Sequence, residues 1–137
     1  MLGKPIVSTQ DRERLADRIA RARSSWVTYA PYLDTFGAEL RTARAVPPTD
    51  VPRDVITMNS RFALMDLRAG EAICYTLVYP EAEALRDGKL SVLSPMGMAL
   101  LGAHEGDIVR WNGEEGPASA EVLRLHYQPE AAGDHDL

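Results

Sequence analysis

The residue types that most often carry reaction chemistry are present in this chain without the spacing that chemistry needs. His104, His126 and His135 show no metal-ligand spacing, and the single cysteine, Cys74, leaves no cysteine pair to help them hold an ion. There is no G-x-x-x-x-G-K-[ST] loop to cradle a nucleotide phosphate and no G-x-G-x-x-G dinucleotide turn. No serine or cysteine lies in a recognised nucleophile motif, although a triad is defined by geometry and requires no local signature. Cys74 falls inside the apolar run AICYTLVY, which predicts a buried strand residue rather than a reactive thiol. The residues therefore predict no catalytic set, no metal and no cofactor. They point to a binding protein.

The first binding candidate is the stretch Lys89 to Trp111, KLSVLSPMGMALLGAHEGDIVRW. Ser94 suits an N-cap, and Pro95 suits the first helical position, where its missing N–H costs nothing. Gly102 suits the left-handed residue that ends a short helix, and Gly106-Asp107 opens the next strand. Taken alone, Ser94-Pro95 reads as a helix start. A second candidate is a basic face on the first helix, Arg14, Arg18 and Arg21. It is read as a solvated face balanced by Glu13 and Asp17, or alternatively as a contact surface for acidic protein or nucleic acid.

These residues need elements to position them. Leu15, Ile19, Ala22 and Trp26 make one apolar stripe at helical spacing, with Ser8 and Asp11 as its start signal. Leu33, Phe36, Leu40 and Ala43 make a second stripe just after Pro31. The turn between them is Ser24 to Pro31, so residues 1–46 read as a short antiparallel helical hairpin. Such short helices are marginal alone, so the hairpin is expected to lean on the second domain. The proline-rich segment 47–54 reads as a linker. Residues 55–128 then read as strands at Val55–Met58, Arg61–Leu67, Ala72–Tyr79, Lys89–Ser94, Ile108–Trp111 and Ser119–Tyr127, with one short helix. The fold class is α+β, a mainly antiparallel sheet carrying one helix. Residues 129–137 read as a loosely ordered tail.

Composition narrows the partners. The chain has 137 residues, 45% hydrophobic and 26% charged, as expected of one globular core with a small appendage. No apolar run approaches the roughly 20 residues of a membrane span. The start, MLGKPIVSTQ, lacks a signal-peptide pattern, and a lone cysteine fits a reducing cytoplasm. Residues 1–50 hold eight Lys/Arg against six Asp/Glu, whereas residues 51–137 hold seven against fourteen. An acidic main domain argues against sequence-specific grip on nucleic acid and favours a basic protein surface as partner.

The phrases ITMNSRFALMDLRAGEAICYTLVYP and LSVLSPMGMALLGAHEGDIVRW closely resemble the C-terminal domain of the Gre transcript-cleavage factors. The match runs from Val55 to about Tyr127, and its Ser-Pro-x-Gly-x-Ala-Leu-Leu-Gly and Gly-Asp motifs are specific. DVITMNS, TLVYP and YQPEAAGD resemble more closely one branch of that superfamily, the regulators of nucleoside diphosphate kinase, which carry a shortened hairpin. The resemblance implies an FKBP-like sheet domain and binding to bacterial RNA polymerase at the β′ rim of its secondary channel, as a cytoplasmic monomer. It also implies that Ser94, Pro95 and Met96 belong to the docking surface, with Gly97, Gly102 and Gly106-Asp107 in structural roles.

In Gre factors, acidic residues at the hairpin tip help hold a second metal ion at the polymerase active centre. That role requires carboxylates within direct or water-bridged reach of Mg²⁺. Here the expected tip, Ser24 to Ala30, contains no acid, and the nearest carboxylates, Asp17 and Asp34, lie off the turn. The tip candidates are Trp26, Thr28, Tyr29, Tyr32 and Asp34; the aromatics either pack the hairpin end or form a contact patch. The resemblance thus implies a competitor for the channel that does not stimulate cleavage. Two alternatives remain open: a peptidyl-prolyl isomerase, from the FKBP-like fold, and direct contact with nucleoside diphosphate kinase.

Overall fold

The computed structural model describes residues 5–24, 31–113 and 115–134, without the side chains of 23, 24, 31 and 32. Strand β1 (Ile6–Ser8) leads directly into helix α1 (Thr9–Ser24), and helix α2 (Pro31–Thr42) leads into strand β2 (Arg44–Val46). The Ser8 hydroxyl accepts from the Asp11 N–H at 3.0 Å, which fixes where α1 begins. The two helices meet through the expected stripes: Leu15 and Ile19 on one, Leu33, Phe36 and Leu40 on the other, all buried. Gly37 sits opposite Ile19, where a Cβ would find ordinary contact at 3.8 Å. β1 and β2 pair in parallel and close the open end of the hairpin, a pairing that no local pattern predicts.

Five further strands form one sheet in the order β5-β4-β3-β7-β6. They are β3 (Arg61–Asp66), β4 (Glu71–Val78), β5 (Lys89–Ser91), β6 (Ile108–Gly113) and β7 (Gly116–Tyr127). All neighbours are antiparallel except β4 and β5. Helix α3 (Pro95–Leu100) comes after β5 and packs on the inner face, with Gly97 and Leu100 buried. The core is continuous from hairpin to sheet, joining Leu15, Ile19, Phe36 and Leu40 to Met58, Phe62, Leu77, Leu100 and Val122. The α+β class and the helix pair are as the sequence predicts.

Three expectations are corrected. Val55–Met58 is not a strand: these residues are at most 1% exposed, and their backbone bonds run to separate places. Ile56 donates to the Ala103 carbonyl at 2.8 Å and accepts from the Gly102 N–H at 2.9 Å. The run ends in a tight turn at Asn59, φ 66°, braced by the Thr57 N–H on the Ser60 hydroxyl at 2.9 Å. An apolar run buried on every side has no periodicity by which to tell strand from core loop. Cys74 is exposed, not buried. The first half of β4 extends past the short β5, so Glu71 to Cys74 lie in solvent. The segment after Tyr127 is not loose through Asp134: Gln128 and Pro129 are buried, and Pro129–Ala132 forms helix α4. The Gln128 amide donates to the carbonyls of Pro52 and Val55, both at 2.7 Å, and the Glu130 carboxylate accepts from the Thr57 hydroxyl at 2.6 Å.

Gly97 marks the tightest approach between α3 and the sheet. A Cβ there would lie 2.1 Å from the Ser91 carbonyl oxygen, a rigid backbone atom. Gly97→Ala is expected to destabilise the fold by about 2–3 kcal/mol or more through forced backbone displacement. Chemical denaturation read by far-UV circular dichroism checks this; a loss within experimental error would show that α3 can shift freely.

Candidate interaction site

The start of α3 is built from a chain of serine contacts. Ser91 Oγ accepts from the Leu93 N–H at 3.1 Å, shaping the turn out of β5. The Ser94 hydroxyl donates to the Ser91 carbonyl at 2.7 Å and accepts from the Gly97 N–H at 3.0 Å. Its proton and one lone pair are thus committed to capping the helix. Pro95 occupies the first helical position and is exposed; Met96 is half-buried against the core. The three candidates therefore separate: Ser94 holds the helix start, while Pro95 presents surface.

Pro95 does not stand alone. With Met98 and Ala99, one turn further on, it forms one wall of an open groove of about 520 Å³. Thr35, Phe36 and Glu39 of α2 form another wall, and Arg110, Trp111 and Asn112 of β6 the third. The groove thus brings the hairpin and the sheet domain to one place. Sequence reasoning missed Met98, Ala99 and the β6 residues as partners of Pro95. The i+3 and i+4 spacing from Pro95 would have found the first two; β6 is reached only through the packing of α3 on it.

Of the hairpin-tip candidates, Trp26, Thr28 and Tyr29 lie outside the described residues, and Tyr32 is described only as backbone in the first turn of α2. Asp34 lies on that same first turn, exposed. Among the described residues no group of three or more His, Cys, Asp or Glu could hold a metal ion.

At the root of the hairpin the structure assembles a polar cluster that the sequence left scattered. Arg18 takes its ion-pair partner from outside α1 rather than from Glu13 or Asp17. Its guanidinium donates to Glu81 at 2.7 Å and lies 4.2 Å from the centroid of the Tyr79 ring, tying α1 to the segment after β4. Arg21 makes the expected pair with Asp17 at 2.7 Å. Asp11, part of the helix start signal, is only 3% exposed. Its carboxylate accepts from the Met58 N–H at 3.2 Å and the Tyr79 hydroxyl at 3.5 Å. Burial, then the Glu130 charge, push Asp11 up to about 7 from 3.8, against the opposing pull of the Met58 bond, Arg14 and Tyr79.

This shift has a defined sign. The folded state holds the Asp11 proton to a higher pH than the unfolded chain does, so stability from this group is full below about pH 4. It falls as pH rises towards 7 and levels off above that, by at most roughly 4 kcal/mol. Asp11→Asn is expected to remove that slope and to be the more stable protein above about pH 7. Urea midpoints of both proteins across this range check it; parallel pH profiles would place the Asp11 proton elsewhere.

Comparison with known proteins matches residues 51–127 to the family described as transcription elongation factor, GreA/GreB, C-term. The regulator of nucleoside diphosphate kinase from Escherichia coli (strain K12) is 46% identical over 108 residues, covering 78% of this chain and 79% of that protein. Transcription elongation factor GreA of Chloroherpeton thalassium is 34% identical over 93 residues, 68% of this chain and 59% of that one. A solved structure of the prokaryotic transcription elongation factor GreA/GreB from Nitrosomonas europaea superimposes with a TM-score of 0.75 at 32% identity. It covers 92% of this chain and 100% of that one.

Proposed function

Since the chain belongs to the GreA/GreB transcription elongation factor family, in the branch of the regulators of nucleoside diphosphate kinase, we propose that it is a non-catalytic regulator of transcription in the cytoplasm. It binds bacterial RNA polymerase at the rim of the secondary channel, on the β′ subunit, and competes there with Gre-type factors without stimulating transcript cleavage. The observation that carries this reading is the groove beside α3. Exposed Pro95, with Met98 and Ala99, faces the second hairpin helix across a space open to a partner. A protein seated there would contact the docking domain and the hairpin together.

The lack of cleavage activity rests on the hairpin. Helix α1 has 16 residues and spans about 24 Å at 1.5 Å per residue. The acid nearest the helix connection on α2 is Asp34, with no second carboxylate beside it in that first turn. A single carboxylate is a poor scaffold for Mg²⁺, which needs several oxygen ligands. The name of the Escherichia coli relative favours a second reading, direct contact with nucleoside diphosphate kinase. Binding of that kinase in the absence of polymerase would favour it.

The purified protein is expected to displace a Gre factor from core polymerase while leaving a backtracked transcript uncut. Pro95→Ala combined with Met96→Glu is expected to weaken polymerase binding about tenfold, roughly 1.4 kcal/mol, with an unchanged circular dichroism spectrum. Fluorescence competition measures displacement and the affinity of the variant, and a transcript-cleavage gel shows whether the RNA is cut. Cleavage that disappears in Asp34→Asn would overturn the passive-competitor reading, and unchanged affinity of the double variant would remove the docking assignment.

A further inference from the structure

The acidic sheet domain gathers its cations on one face. Residues 51–137 contain seven Lys/Arg, and strand register places four of them on the side turned away from the core. Directly opposed residues share a face. Leu64, Phe62, Leu77, Leu90 and Val109 point inward and are buried, so their neighbours in sequence point outward. Lys89, Thr76, Arg61 and Tyr127 form one outward row across β5, β4, β3 and β7. Cys74, Ala63 and Arg124 form the next, and Ala72, Met65, Glu121 and Ile108 a third. Arg110 lies two residues beyond Ile108 on the same side of β6, at the rim of the groove. His126, the extra residue of a β7 irregularity, joins the second row, with Nε2 3.9 Å from Cys74 Sγ.

This face is open: Arg61, Lys89, Arg110, Arg124 and His126 are all exposed, and Ile108 is 43% exposed. Among the described residues none of the four Lys/Arg has an ion-pair partner. Glu121 is the sole acid within the rows. Asp134, at the end of the first, accepts from the Tyr127 hydroxyl. Like charges held together without counter-charges repel one another, while the surrounding domain has acids to spare.

We propose that this open sheet face binds an acidic protein surface, with Arg61, Lys89 and Arg124 taking carboxylates around an apolar centre of Ala63 and Met65. Arginine and methionine together suit a protein interface. A nucleic acid fits less well: its phosphates would meet Glu121 and apolar surface, and the rows offer for stacking only Tyr127, at one end of the first row with its hydroxyl held by Asp134. The inference is independent of polymerase docking at the groove.

The test titrates the full-length protein with a synthetic peptide of alternating glutamate and leucine, and separately with a single-stranded oligonucleotide, at low and high salt. The expected result is salt-sensitive peptide binding, with amide shifts confined to β3, β7 and their neighbours. Arg61→Glu with Arg124→Glu should weaken it at least about tenfold. The peripheral variant Lys89→Glu should weaken it less, and it serves as the test if the double variant misfolds. Absence of peptide binding, binding indifferent to these substitutions, or tighter binding of the oligonucleotide on the same face would each overturn the proposal.

Discussion

A helical hairpin of 16 and 12 residues cannot bury its own apolar stripes, and much of the rest of the molecule is shaped by how that shortage is met. Leu15, Ile19, Phe36 and Leu40 complete a core whose other half is Met58, Phe62, Leu77 and Leu100. The short parallel pair β1–β2 fastens the open end of the hairpin, and Gly102, at φ 84°, lets Pro5 lie against the exit of α3 where a Cβ would come within 2.6 Å. The hairpin is therefore not an arm on a tether. Its direction is fixed by the sheet domain on which it rests.

That shared core has a polar seam. Asp11, Tyr79 and Arg18 lie where α1 crosses the end of β4, and Thr57, Ser60 and Glu130 continue the hydrogen bonding to α4. An acid in such a place costs stability when charged, and the Met58 N–H and Tyr79 hydroxyl return only part of it. The Arg18–Glu81 pair is largely solvated on the Glu81 side, so its own contribution to stability is small. Its value is directional, since the guanidinium meets the Glu81 carboxylate and the Tyr79 ring together.

Function then separates onto surfaces that the one fold holds apart. The groove between α2, α3 and β6 lies where the hairpin meets the sheet domain, so a molecule seated there would contact both. The opposite side of the sheet carries exposed cations in a domain whose total charge is negative. A net charge describes an average, and partner choice depends on the distribution.

The sequence by itself determined the two helices, because a 3.6-residue period and a cap are local signals. It determined the start and end of α3 as well: Ser94, Pro95 and Gly102 act through bonds and torsions within a few residues of themselves. Val55–Met58, Cys74 and the segment after Tyr127 were misjudged for one common reason. Whether an apolar or polar residue is buried depends on what lies across from it, and Cys74 stands on the sheet face turned away from the core while α4 folds back to seal Thr57. Tertiary structure alone decided that Asp11 is buried, that Arg18 turns to Tyr79 and that Pro95 faces α2. Each of these contacts joins residues far apart in the chain, and no local period or motif records such a distance.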